Sequence, residues 1–200
     1  MGSGLWLESN GSLASFDLPS LSKVGDELKV YSNDNLTSFS LPELTEVGND
    51  FDVWGNIALT SISCPVLSKI AYNLIIQDNP LLASTSFDLP LLSKVTNSVW
   101  LSGNKTMTSF DLSALSQVGD NLSVHDNDAL ISFDLSGLTK VGGSLQMGHN
   151  PALAQCLVEA LVEQVEAGDG IASNIKTDGN NGGCTCAEVN SVLEATCPEF

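Results

Sequence analysis

The chain contains no arginine, and its seven basic residues are all lysines set against 24 acidic residues. That formal net charge of −17 removes two classes of function. Nucleic-acid binding needs a basic footprint to displace phosphate counterions, and none is present. Bidentate guanidinium grips on phosphate or carboxylate are excluded along with arginine. No apolar run reaches the roughly 18 residues that would span a bilayer, so no membrane segment is expected. Residues 1–4, Met-Gly-Ser-Gly, lack the basic and apolar regions of a secretory leader and read as a cloning remnant. The acid excess itself reads as a solvated surface.

Cysteine is scarce and uneven. Cys64 stands alone, while Cys156, Cys184, Cys186 and Cys197 gather near the end in a Gly/Asn-rich tail. Clustered cysteines of this kind point to two disulfides and an oxidising compartment. Zinc is the rival, but Cys184-Thr185-Cys186 has the wrong spacing for a structural site and neither histidine is near in sequence.

What the chain does contain is repetition. Asn10, Asn33, Asn56, Asn79, Asn104, Asn127 and Asn150 follow at steps of 23, 23, 23, 25, 23 and 23. Phe16, Phe39, Ile62, Phe87, Phe110 and Phe133 keep the same step, as do Val24, Val47, Ile70, Val95, Val118 and Val141. A fixed period of this length marks stacked units that bury their apolar faces only against one another. The longer step is an insertion of two residues between Asn79 and Phe87. Within a unit, Leu28 and Val30 and their equivalents alternate with outward residues, the pattern of a strand with one buried face. Phe16 and Leu18 and their equivalents form a second extended piece. Glycine at 25, 48, 119 and 142 marks a corner. Inward asparagines are expected to stack and to satisfy backbone groups stranded at the bend. Sequons fall at Asn10, Asn35, Asn104 and Asn121; Asn10 and Asn104 belong to the asparagine column and are expected to be buried. Cys64 takes an inward leucine position and reads as a small hydrophobe.

After Asn150 the period changes. Leu153, Leu157, Leu161 and Val165 fall four apart, an amphipathic helix stopped by Gly168 that is expected to lid the stack. Residues 178–183 read as loop, and Thr185 with Glu188 as the capping box of a second short helix. The chain thus divides into a repeat solenoid over 5–151 and a helical, disulfide-pinned cap over 152–200.

The stretches LPELTEVGNDFDVWGNIALTSI, LSALSQVGDNLSVHDNDALISF and LSGLTKVGGSLQMGHNPAL resemble the receptor L-domain family over residues 5 to about 153. The resemblance implies a right-handed, leucine-rich-repeat-like parallel β-solenoid of the kind found in animal receptor ectodomains, fungal wall proteins and bacterial surface proteins. It implies binding or support rather than catalysis, on the outside of a cell, and it transfers no functional residue.

Outward positions on the first strand form two columns. One holds Trp6, Lys29, Asp52, Ile75, Trp100, Ser123 and Gln146; the other Glu8, Tyr31, Trp54, Gln77, Ser102, His125 and Gly148. All three tryptophans lie here. An outward aromatic face can stack sugar rings or receive a protein hot spot, so Trp6, Tyr31, Trp54, Trp100 and His125 are the candidate ligand residues. The expected partner is a carbohydrate, a protein or a second copy of the chain; no cofactor is expected. On the second strand, Asp88, Asp111 and Asp134 stack as like charges, which makes them calcium candidates. Two other classes compete. A Ser/Thr ladder (Ser15, Ser38, Ser61, Ser86, Ser109, Ser132, with Thr37, Thr60 and Thr108) would suit ice binding. Asp111 with Asp134 imitates the acid pair of a polysaccharide-acting enzyme, but no base or nucleophile motif accompanies them and catalysis is not expected.

Overall fold

Leu28 and Val30 are fully buried while Lys29 and Tyr31 beside them are half-buried, and the same alternation returns one period later at Phe51 and Val53 against Asp52 and Trp54. That alternation builds the widest face of a parallel β-solenoid of about six turns, seen in a computed structural model that describes residues 3–83 and 87–182. The face is an eight-stranded sheet in the order β1 (Leu5–Glu8), β4 (Leu28–Tyr31), β7 (Phe51–Trp54), β10 (Leu74–Gln77), β12 (Val99–Ser102), β14 (Leu122–His125), β16 (Leu145–Gly148) and β18 (Ile175–Lys176). Every neighbouring pair is parallel and in register, so equivalent residues sit side by side, as Trp6, Lys29 and Asp52 do.

The second extended piece forms a three-stranded sheet of β2 (Ser15–Asp17), β5 (Ser38–Ser40) and β8 (Ser61–Ser63). Beyond the insertion, among the described residues, single bridges continue it, Asp88 to Asp111 and Asp111 to Asp134. Ala83 still pairs with Thr60 at the 23-residue step, whereas Val99 pairs with Leu74 at 25. Ser93 bonds back to Ser68 at 25 as well, so the offset has changed by residue 93.

The corner is more ordered than its sequence foretold. Two-residue strands β3 (Lys23–Val24), β6 (Glu46–Val47), β9 (Lys69–Ile70), β11 (Lys94–Val95), β13 (Gln117–Val118), β15 (Lys140–Val141) and β17 (Gly170–Ile171) form a third, seven-stranded parallel sheet. Each turn thus has three sides. Two residues are too few to show a period of two, so only the pairing of neighbouring turns reveals these strands.

Each turn bends at one residue with positive φ immediately before its asparagine: Ser9, Ser32, Gly55, Asp78, Gly103, Asp126 and His149. The asparagine then repairs the bend. Asn56, for example, accepts at Oδ1 from the Asn33 backbone N–H (3.1 Å) and donates from Nδ2 to the Val30 and Trp54 carbonyls (2.9 and 3.2 Å). Asn33, Asn56, Asn79, Asn104, Asn127 and Asn150 are all fully buried. Asn10 is not. It occupies the first turn, where no earlier described turn covers it, and is exposed, which corrects its expected burial and leaves its sequon accessible.

The C-terminal helix α1 runs over Gln155–Ala167 and is followed by Gly168, as the sequence predicts. It carries no side-chain cap at its N-terminus; burial of Leu157, Val158, Leu161 and Val165 holds it. The helix is not simply a lid laid on after the stack. It occupies the arc of the last turn where earlier turns carry β2 or its equivalents, and the chain then rejoins two sheets as β17 and β18. Gln164 Nε2 reaches back to the Leu135 and Leu138 carbonyls (2.9 and 2.8 Å), which ties the helix to the preceding turn. Asn180 closes the asparagine column, accepting from the Asn150 N–H (3.2 Å) and donating to the Met147 carbonyl (2.8 Å). Its step of 30 residues from Asn150 hides it from a 23-residue ruler. Cys184, Cys186 and Cys197, with the second helix expected from Thr185, lie outside the described residues. Among the described residues no helix is long and apolar enough to cross a membrane.

Candidate functional site

The outer face of the eight-stranded sheet carries the candidate residues, because every second side chain of each strand must point away from the core. Trp6 and Trp54 are 64% and 40% exposed, unusual for rings of this size. Parallel register sets Tyr31 beside Trp54, and their rings stack with centroids 5.1 Å apart and planes 6° from parallel. The Glu8 carboxylate, bonded to the Tyr31 hydroxyl, holds that phenol above its ordinary range. In the neighbouring column Lys29 lies 5.7 Å from the Trp6 ring centroid while pairing with Glu27 at 3.0 Å. Turns one to three therefore present one aromatic patch: Trp6, Tyr31 and Trp54.

Trp100 and His125 stand apart from it. Trp100 is half-buried, in register between Ile75 and Ser123, on the side of Trp54 away from Tyr31 and three strands from Tyr31, whereas Trp6 is exposed and one strand from Tyr31. His125 is three strands beyond Trp54, with Gln77 and Ser102 between. Gln77 bonds to the buried Ser102 hydroxyl (2.9 Å), a polar break between the aromatic patch and the histidine. The imidazole pairs with Asp126 at 2.7 Å.

Asp52, on β7 with Trp54 at the edge of the patch, was legible in the sequence only as a member of an outward column. Its register neighbour Lys29 pairs with Glu27 instead, and Asp52 Oδ1 is buried with no hydrogen-bond partner. Burial pushes its carboxyl up to about 6, against the pull of Lys29. A carboxyl raised in the fold favours the protonated protein, so the contribution of Asp52 to stability is full below the unfolded value near 3.9 and is lost as pH rises through about 6. Asp52→Asn is expected to abolish that fall and to raise stability at pH 8 by about 1 kcal/mol, after discounting for its partial exposure. Urea unfolding of both proteins at pH 4 and pH 8 checks this; an equal loss in the two would reject the assignment to Asp52.

The aspartate column serves the backbone. Asp88 Oδ1 accepts from the Asp111 N–H (3.1 Å), Asp111 Oδ1 from Ser113 N–H (2.8 Å) and Asp134 Oδ1 from Ser136 N–H (2.9 Å). Burial raises the Asp88 carboxyl above its ordinary range, with Asp111 adding repulsion. Among the described residues no group of three or more His, Cys, Asp or Glu side chains is placed to hold a metal ion. Serines 15, 38, 40, 61 and 63 line a shallow groove of about 440 Å³ with Asp17, Phe16 and Phe39. On the corner sheet Glu46 bridges Lys23 and Lys69, each at 2.8 Å, which holds its carboxyl down at about 2. Cys64 is buried and unpaired, and desolvation pushes its thiol up to about 12, consistent with an inert core position.

No protein-family model matches the chain, and no curated protein or solved structure matches it.

Proposed function

We propose that the chain is a non-catalytic recognition module, of the receptor L-domain type and displayed outside the cell, that binds a carbohydrate or protein partner through Trp6, Tyr31 and Trp54. The observation that carries this reading is the stacked Tyr31–Trp54 pair beside the exposed Trp6. Rigid strands fix these rings in place, so a ligand meets a preorganised apolar patch with polar groups at its rim. Glu8, Lys29 and Gln77 supply that rim. Trp100 and His125 belong to other parts of the face.

The rival readings have weaker support. Asp111 and Asp134 each spend an oxygen on the backbone two residues ahead, which suits a turn better than an acid pair. The Thr37 and Thr60 hydroxyls donate to the Ala14 and Thr37 carbonyls, which leaves them only acceptor lone pairs for ordering water.

A glycan array tests the carbohydrate arm. At least one saccharide is expected to be retained, and Tyr31→Ala with Trp54→Ala is expected to weaken it about tenfold or more, as loss of an aromatic anchor does, with unchanged circular dichroism. No retained saccharide narrows the reading to a protein partner. Full retention by the double variant overturns the site.

A further inference from the structure

Both histidines of the chain line one pocket, far along the same sheet from the aromatic patch. Its walls are His125, Gln146, Gly148, His149, Lys176 and Asp178, around a volume of about 250 Å³. The pocket exists because the outward column loses a side chain. Gly148 is in register beside His125, and a Cβ there would stand 2.4 Å from the Asp178 carbonyl oxygen. Only glycine lets the segment after β18 close against β16, where the His149 N–H bonds that same carbonyl at 2.9 Å. The result is a notch with His125 on one side and His149 and Asp178 on the other. Lys176 and Gln146, register neighbours in the adjacent column, border it.

Lys23, Lys69, Lys29 and Lys105 each pair with a carboxylate. Among the described residues Lys94, Lys140 and Lys176 make no ion pair, and Lys176 borders this notch; His149 Nε2 is 3.9 Å from Asp178 Oδ2. The charged groups around the two rings are Lys176, Asp126 and Asp178, with Lys105 and Asp128 paired to each other at 3.0 Å farther out.

We propose that this notch binds a small carboxylate-bearing ligand of single-ring size, a hexuronic acid being the simplest probe. Lys176 and the imidazoles take the carboxylate through charge-assisted hydrogen bonds, and Gln146 and Asp178 take hydroxyl groups. The volume lies below that of pockets for drug-sized ligands, which fits one ring and not a chain. The site is independent of the aromatic patch.

The test is an NMR titration of the full chain with galacturonate and, separately, galactose. Galacturonate is expected to bind about tenfold more tightly than galactose and to shift the ring signals of His125 and His149. Lys176→Gln and His149→Gln are each expected to weaken it about tenfold, while Tyr31→Ala with Trp54→Ala leaves it unchanged. Equal binding of acid and neutral sugar, no binding of the acid, or indifference to Lys176→Gln would overturn the proposal. Loss of uronate binding in the aromatic double variant would overturn the independence of the two sites.

Discussion

Asn56→Leu is expected to lower the free energy of unfolding by about 4 kcal/mol or more, although leucine is close in size and more apolar. The reason lies in what the side chain leaves behind. Asn56 is fully buried. Its Oδ1 receives the Asn33 N–H (3.1 Å), and its Nδ2 serves the Val30 carbonyl (2.9 Å), the Trp54 carbonyl (3.2 Å) and Asn79 Oδ1 (3.2 Å). Leucine satisfies none of these groups. A buried donor or acceptor left without a partner costs about 1–3 kcal/mol, and here at least two are stranded in a place water does not reach. The column also joins consecutive turns, so the loss falls on a nearest-neighbour interface on which the stack depends. Asn10→Ala is the internal comparison. Asn10 is exposed and sits at the open end of the column, so its loss is expected to cost no more than about 1 kcal/mol. Urea unfolding curves of the two variants measure the contrast; similar small shifts would show that the column does not hold the turns together.

Phe51→Ala is expected to cost about 3–5 kcal/mol, the range for removing a fully buried aromatic ring. Phe51 has no exposed surface and is in register between Leu28 and Leu74. The turns on both sides are fixed by their own strand pairing at about 4.8 Å spacing, so the walls cannot collapse into the void. Phe16→Ala should cost roughly half as much: Phe16 stacks on Phe39 (4.9 Å, 3°) but is only half-buried at the first turn. If the two substitutions shift the unfolding midpoint equally, the core does not have the end-to-middle gradient that stacked turns require.

Most of the fold was legible because a solenoid writes its contacts locally. Each turn touches the one before and the one after, so the requirement at Phe39 is the requirement at Phe16 and Ile62, and the repetition is visible in one dimension. The inward assignments of the widest sheet followed from alternation alone: Leu28, Val30, Phe51, Val53, Leu74 and Ile76 are all buried. The outward ones did so less fully, since Ser102 and Ser123 are buried beneath neighbouring side chains. The helix ending at Gly168 followed from the change of period. Even the inert Cys64 followed from its place among leucines.

The candidate site was legible only as columns. Register told which residues share a row, and Tyr31 did fall beside Trp54. It did not tell which row members touch. Whether Lys29 would pair with Asp52 or with Glu27 depends on side-chain geometry, and the choice of Glu27 is what leaves Asp52 Oδ1 alone.

The sequence by itself determined the stacking, its period, the polar column at the bend and the sidedness of the strands, since these arise from contacts repeated at a constant step. Tertiary structure alone decided three things: that the corner is a third sheet, that α1 lies within the last turn with Asn180 completing the column, and that both histidines meet at the gap left by Gly148. Each of these depends on contacts made once, or over too few residues to leave a period, and such contacts exist only after the chain has wound.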